Sequence, residues 1–193
     1  MSDTHKDIRN EVNLLESEIW DIAHRVWELN ELSLEEEKSS ALEAKYLAEN
    51  GFVISDCGIG GLDYAWIATW GNGKPVIGIT AEFDALPGLG NEAVADKVPR
   101  KDGNPNGHGC GHNLIGAGAI CAAIALKNHL EKNAINATIK VFGCPAEEVI
   151  TGKNFMAMAG AFNDLDACLH WHPANLTTTF NAQTPAIANI RVE

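Results

Sequence analysis

Residues 114–142 read LIGAGAICAAIALKNHLEKNAINATIKVF, and this segment indicates the fold class most clearly. Its first part, from Leu114 to Leu130, is rich in glycine and alanine and apolar on nearly every side, which is typical of a helix buried against a sheet. Its last part, from Thr138 to Phe142, is a short run of strand length with β-branched residues. A buried helix followed closely by a buried strand predicts an α/β layered domain.

The sequence on either side continues this alternation of helices and strands. Apolar runs of strand length lie upstream at 52–54, 64–70 and 75–80, and downstream we predict a helix at 151–161 and strands at 167–171 and 186–192. The glycines in residues 71–74, GNGK, predict a hairpin between the second and third runs. The whole pattern favours a three-layer domain in which a sheet lies between two layers of helices.

The first fifty residues predict two further helices. Apolar residues from Val12 to Leu29 recur at spacings of three and four, the period of an amphipathic helix. For the next helix, Ser33 followed three residues later by Glu36 predicts a capping box.

The composition of the chain excludes several classes of protein. Its 193 residues are 46% hydrophobic and 21% charged, which is typical of a soluble globular protein. With 26 acidic and 14 basic residues, the net charge of −12 disfavours nucleic acid and anionic membranes as partners. The sequence lacks a membrane-spanning run or a signal peptide, and its five widely spaced cysteines argue against a disulfide framework. We therefore expect a cytoplasmic protein.

The strongest chemical signal is residues 107–113, GHGCGHN. Its glycines allow a tight bend, so that Cys110 and His112 could converge on one metal ion. The alternative is a glycine-rich loop with a buried cysteine and surface histidines. Three metal-competent side chains within five residues are uncommon by chance, which favours the metal.

Three further groups of candidate side chains lie at the ends of predicted strands. They are Glu82 with Asp84, Glu147 with Glu148, and His170 with His172. Each group alone has an ordinary interpretation, such as a solvated acidic turn or a core histidine. On a strand, the two histidines would share a face. Together with the cysteine, these side chains form a ligand set that suits Zn²⁺, Mn²⁺ or Co²⁺.

These motifs, in this order, resemble those of the aminoacylase and carboxypeptidase superfamily of dinuclear metallohydrolases. They are residues 81–88 (AEFDALPG), 107–113, 143–148 (GCPAEE) and 171–173 (WHP). The chain is similar in particular to the amidohydrolase branch that includes aminobenzoyl-glutamate utilisation and indole-acetyl-amino-acid hydrolase proteins. The resemblance implies the N-terminal part of a layered α/β metallohydrolase domain at 1–182, with a lid and dimerisation domain beginning at 183–193.

The resemblance also implies roles for individual residues. The expected metal ligands are Cys110, His112, Glu148 and His172, with His170 as the alternative to His172. Glu147 corresponds to the general base, Asp84 supports the metal site, and Glu82 stands where other branches place a metal-binding histidine. Two divalent cations would assist hydrolysis of the amide bond of an N-acyl or N-aroyl amino acid, such as aminobenzoyl-glutamate, with a free carboxylate.

Two features depart from the family pattern. Residues 149–152, VITG, replace a turn rich in glycine and serine. Family members are also much longer, so we expect an N-terminal fragment that is inactive alone, and a homodimer in the longer form.

Two other functions compete with this interpretation. A non-catalytic metal-binding or interaction module is the main alternative. A nucleotide-binding domain is disfavoured, because neither residues 58–61 nor residues 71–74 have the spacing of a phosphate-binding loop.

Overall fold

The computed structural model describes residues 3–179, where five strands form one sheet between layers of helices. The helices are α1 (Asp3–Leu14), α2 (Glu16–Leu29), α3 (Glu37–Glu49), α4 (His112–Lys132), α5 (Glu147–Ile150) and α6 (Gly152–Met158). The strands are β1 (Val53–Cys57), β2 (Trp66–Gly71), β3 (Val76–Ala81), β4 (Thr138–Gly143) and β5 (Ala167–Leu169). The predicted α/β architecture is confirmed. Among residues 3–179, no helix has both the length and the apolar character needed to cross a membrane.

The sheet has the strand order β1-β2-β4-β3-β5, which places β4 at its centre. β4 pairs antiparallel with β2 and parallel with β3, and β5 lies parallel to β3. Because β3, β4 and β5 run in the same direction, the segments that follow them leave the sheet at one edge. That edge is where an α/β sheet places its functional residues.

Two hydrophobic clusters hold the layers together. The larger one joins α2, α3 and α4 to one face of the sheet and includes the buried side chains of Val26 and Ile124. In the smaller one, Met156 of α6 packs with Ile67 and Phe142. α4 is buried along most of its length, as its small residues predict.

The hairpin predicted at residues 71–74 is wrong, because β4 lies between β2 and β3. The connection crosses the start of β4 instead. There the Gly73 N–H donates to the carbonyl oxygen of Ala137, and the Thr138 hydroxyl donates to the carbonyl oxygen of Gly73. A Cβ at Gly71 would lie 2.2 Å from the Ala137 oxygen. The glycines therefore permit a close crossing of two segments rather than a tight turn.

The capping box predicted for α3 is also wrong. The helix begins at Glu37, and the Ser33 hydroxyl donates to the carboxylate of Asp84. A different carboxylate caps the helix, since Glu31 accepts hydrogen bonds from the backbone N–H and the hydroxyl of Ser39.

Three predicted element boundaries differ from the structure. The first amphipathic helix divides at Leu15, which turns into the core between α1 and α2. The helix predicted at 151–161 is α6, which ends earlier, at Met158, and the strand predicted at 167–171 ends at Leu169. The strand predicted at 186–192 and the domain boundary at 182/183 lie outside the described residues.

Candidate metal centre

His112, the first residue of α4, lies at the centre of the site with its side chain 1% exposed. Its Nδ1–H donates to Oδ1 of Asp84 at 2.7 Å, so that in the neutral imidazole the free electron pair is on Nε2. This Nε2 is buried and makes no hydrogen bond within residues 3–179. A carboxylate that fixes one imidazole nitrogen and leaves the other free is the usual setting of a metal-ligating histidine.

Three carboxylates face Nε2 of His112. The distance from Nε2 to the carboxylate oxygen is 3.3 Å for Glu82, 3.7 Å for Glu148 and 3.9 Å for Glu147. Burial lowers the pKa of His112, but the hydrogen bond to Asp84 and the surrounding negative charges outweigh it, so the pKa is raised. The site therefore concentrates negative charge around a buried nitrogen.

Asp84, which follows β3, connects several parts of the site. Its Oδ2 accepts hydrogen bonds from the Ser33 hydroxyl at 2.7 Å and from the Glu148 N–H at 3.0 Å, while its Oδ1 accepts from His112. Burial alone would raise the pKa of Asp84. The three hydrogen bonds lower it by more than burial raises it, so the pKa of Asp84 lies below its ordinary value. Asp84 thus remains ionised and orients its neighbours.

Cys110 and His172 form the other side of the site. The Cys110 Sγ lies 3.2 Å from Nε2 of His172, and Nδ1 of His172 donates to the carbonyl oxygen of Pro173. Ligand atoms of Cys110, His112 and His172 lie within 4.8 Å of one another, and so do those of His112, Glu147 and Glu148. The two groups share His112.

His170 belongs to neither of these two groups. Its Nδ1 lies 2.8 Å from the hydroxyl oxygen of Thr80 in β3. Because β5 ends at Leu169, strand alternation does not apply to residues 170–172, and the two histidines do not share a face as predicted. The structure places His172, rather than His170, beside Cys110.

Glu147 begins α5, and its side chain is 33% exposed, in contrast to that of His112. Burial raises its pKa, and the negative charge of Glu82 adds to this effect. A partly exposed carboxylate with a raised pKa is suited to accept a proton and return it.

Residues 78–186, more than half of the chain, match the sequence pattern of Peptidase family M20/M25/M40. The chain belongs to this family. A component of the p-aminobenzoyl-glutamate hydrolase of Escherichia coli (strain K12) is 42% identical over 171 residues, which are 89% of this chain and 35% of that protein. The N-acetyl-L-cysteine deacetylase of Bacillus subtilis (strain 168) is 30% identical over 178 residues, which are 88% of this chain and 40% of that protein.

A solved structure of an M20 peptidase also resembles the chain. This dinuclear metal-binding peptidase from Bacillus subtilis has a TM-score of 0.62 and 24% identity, and the match covers 81% of this chain and 42% of that one. At this identity, the likeness establishes the M20 fold alone. The chain spans about a third of the E. coli relative and two fifths of the deacetylase.

The site residues of this M20 chain fit a divalent cation. The Oε1 of Glu148, like Nε2 of His112, is buried and unpartnered within residues 3–179. Burial and the negative charge of Glu148 raise the pKa of Cys110 to about 12. A bound cation would reverse this effect, because it stabilises the thiolate, which is the metal-binding form.

Lys153, which sequence reasoning missed, also lies at the M20 site. Its ammonium forms an ion pair with the buried carboxylate of Glu82. Burial lowers the pKa of Lys153, but Glu82 and neighbouring groups outweigh it, so the pKa is raised. The sequence does contain one sign of this residue. Lys153 is the one charged residue in the segment 149–163 and lies five residues after Glu148.

Proposed function

We propose that this chain forms the metal-binding part of an M20 amidohydrolase that hydrolyses small N-acyl or N-aroyl amino acids. The observation that carries the proposal is the arrangement around His112, whose free Nε2 faces the Glu147–Glu148 pair and lies close to Cys110 and His172. The names of the two relatives support an amide substrate that carries a free carboxylate, such as p-aminobenzoyl-glutamate.

Cys110, His112, Glu148 and His172 would hold two divalent cations. Their thiolate, imidazole and carboxylate groups suit Zn²⁺, Mn²⁺ or Co²⁺. When bound, such cations polarise the amide carbonyl and lower the pKa of water.

The chain's own residues supply the remaining functions. Glu147 accepts the proton of the attacking water and returns it to the departing nitrogen, for which its raised pKa and partial exposure are suited. Asp84 fixes the ring of His112 and the backbone of Glu148. Lys153 balances the buried charge of Glu82 beside them.

The proposal extends to location and assembly. All five cysteines are free, which supports the reducing environment of the cytoplasm. A homodimer of the longer form is proposed from the family resemblance.

Metal binding tests the proposal most directly. Calorimetric titration of the chain with Mn²⁺ and Zn²⁺ is expected to show binding that weakens by about tenfold or more in His112→Ala and Glu148→Ala. His24→Ala serves as the control, because His24 is an exposed histidine on α2. A folded chain that binds neither ion would contradict the proposal.

A second measurement separates catalysis from metal binding. The whole gene product, loaded with the metal, is expected to release p-aminobenzoate from p-aminobenzoyl-glutamate or acetate from N-acetyl amino acids. Metal binding without hydrolysis of any such amide would instead favour a non-catalytic metal-binding module.

A further inference from the structure

The segment between α2 and α3, residues 30–36, braces the end of β3. We call this segment the α2–α3 connector. Leu32 forms an isolated bridge with Ala85, and the Ala85 N–H donates to the carbonyl oxygen of Glu31 at 2.8 Å. The Ser33 hydroxyl donates to Asp84. The connector is therefore attached to the backbone and to a side chain just beyond β3.

Glu36, the last residue of the connector, contacts the segment beyond β4. Its Oε1 accepts a hydrogen bond of 2.7 Å from the backbone N–H of Ala146, although 110 residues separate the two in sequence. Both residues are fully buried. One connector thus contacts both strand ends that carry the acidic residues of the site.

Ala146 adopts a conformation that needs external support. Its φ is 57°, in the left-handed region that residues with a Cβ rarely adopt. It directly precedes Glu147 and Glu148, so the direction of this turn determines where both carboxylates point. The hydrogen bond from Ala146 to Glu36 fixes the turn at its first residue.

We propose that Glu36 is a positioning residue that holds the Ala146 turn and thereby directs Glu147 and Glu148 towards His112. The inference rests on the proposed function, because it concerns the two carboxylates assigned there to the metal and the proton. Glu36 itself is fully buried, belongs to neither candidate ligand group, and acts through its hydrogen bond to the backbone of Ala146.

The cost of burying Glu36 supports this role. Its Oε2 makes no hydrogen bond within residues 3–179, and burial raises its pKa to about 7. An apolar side chain of similar size would fill the same space without burying a polar group. The hydrogen bond to Ala146 is the contact that such a side chain could not make.

Glu43 provides a matched control on α3. It is also fully buried, and neither of its carboxylate oxygens makes a hydrogen bond within the described part of the chain. Replacing Glu43 therefore removes a buried carboxylate without removing a contact to the Ala146 turn.

The test compares Glu36→Met, Glu36→Gln and Glu43→Met in the chain. Methionine matches glutamate in size but lacks the acceptor, whereas glutamine keeps a carbonyl oxygen for the Ala146 N–H. We expect Glu36→Met to weaken Mn²⁺ binding by about tenfold, with Glu36→Gln and Glu43→Met within about threefold of the wild type. In the metal-free chain, we expect hydrogen exchange of the Ala146 amide to accelerate by about tenfold in Glu36→Met alone.

The outcomes separate this inference from the proposed function. Wild-type exchange of the Ala146 amide in Glu36→Met would overturn the inference, whatever the metal affinity. A wild-type chain that binds no Mn²⁺ would contradict the proposed function, and exchange would still decide the positioning role. If Glu36→Met does not fold, Glu36→Asp replaces it in the test, because the shorter side chain cannot reach the Ala146 N–H without movement. Hydrogen exchange of the Ala146 amide at the wild-type rate in Glu36→Asp would also overturn the inference.

Discussion

Asp84 shows how a single residue can serve several parts of a site. It holds the His112 ring, the Ser33 hydroxyl and the Glu148 backbone, and each of these belongs to a different segment of the chain. Removing its charge should therefore affect both sides of the metal centre, although Asp84 belongs to neither candidate ligand group.

We predict that Asp84→Asn weakens Mn²⁺ binding by about 10- to 100-fold, the usual cost of losing a carboxylate behind a ligating histidine. The asparagine amide no longer holds the Nδ1–H tautomer of His112 by charge. Calorimetry of the chain measures the effect. Asp164→Asn is the control, because Asp164 is exposed and pairs with Lys140. Equal affinities for Mn²⁺ in Asp84→Asn and Asp164→Asn would contradict the role of Asp84 in supporting the metal ligands.

Glu147 and Glu148 should have different roles, proton transfer for Glu147 and metal binding for Glu148. Glu147→Gln is expected to reduce turnover by the whole gene product by about 100-fold or more, because the proton acceptor is lost, while Mn²⁺ binding stays within a few fold. Glu148→Gln should reduce Mn²⁺ binding itself. Turnover and calorimetry of the same two variants provide the test, and an equal loss of binding in both would contradict the division of roles.

The sequence could predict residues of the site but not their partners. Few side chains bind transition metals, so Cys110, His112 and the acidic pair were recognisable from local motifs, and the structure brings them together. The partners were not recognisable, because Ser33 lies 51 residues from Asp84 and Glu82 lies 71 residues from Lys153. Such contacts depend on the finished fold.

At the scale of elements, α4 controls the position of His172 through a glycine. A Cβ at Gly118 would lie 2.6 Å from the ring of Trp171, which directly precedes His172. The Trp171 Nε1–H also donates to the carbonyl oxygen of Ile115. The helix therefore provides a fitted surface for the residue beside the ligand.

We predict that Gly118→Ala weakens Mn²⁺ binding severalfold. The reason is that the new methyl group displaces Trp171 and, with it, His172. Alanine has a higher helix propensity than glycine, so the same substitution should favour the helical conformation of α4 by about 1 kcal/mol. Ala122→Leu is the control, since Ala122 is exposed on the same helix. Calorimetry and thermal unfolding of both variants give the result. Unchanged affinity in Gly118→Ala would show that the two residues move independently.

The sequence identified most elements but not the arrangement of strands. Hydrophobic periodicity is a local property, and it located the buried helix and all five strands within residues 3–179 with errors at their ends. Strand neighbours are determined by distant contacts, so the glycines at residues 71–74 suggested a hairpin that the insertion of β4 prevents. Likewise, the charged group that caps α3 could not be identified by motif spacing.

At the scale of the whole molecule, Glu36 should make stability depend on pH. Its pKa rises from 4.5 to about 7 on folding because of burial. Between these values the unfolded chain releases the proton and the folded chain keeps it, so the free energy of unfolding falls as pH rises. Glu36→Gln should lose less stability than the wild type across this range. Urea unfolding at about pH 5 and about pH 7 measures the difference, and parallel losses would contradict it.

Metal binding should stabilise the whole chain by mass action. Mn²⁺ at about 100 times its dissociation constant contributes about 2.7 kcal/mol, which corresponds to a rise in Tm of about 5 to 10 °C for a domain of this size. His112→Ala should show no such rise. Thermal unfolding with and without Mn²⁺ is the measurement, and an unchanged Tm in the wild type at saturating metal would count against a site in the folded state.

The central position of β4 imposes an order on biosynthesis. Strands β1, β2 and β3 leave the ribosome long before β4, which must lie between two of them. Until β4 is made, β2 has one unpaired edge and β3 has two, because its other neighbour β5 also comes later in the chain. Such edges are where molecular chaperones or a second nascent chain could bind. The acidic pair follows β4 within five residues. A ribosome-bound chain therefore gains these two acids only after the strand that joins β2 to β3 has been made, and β5 and His172 follow later still.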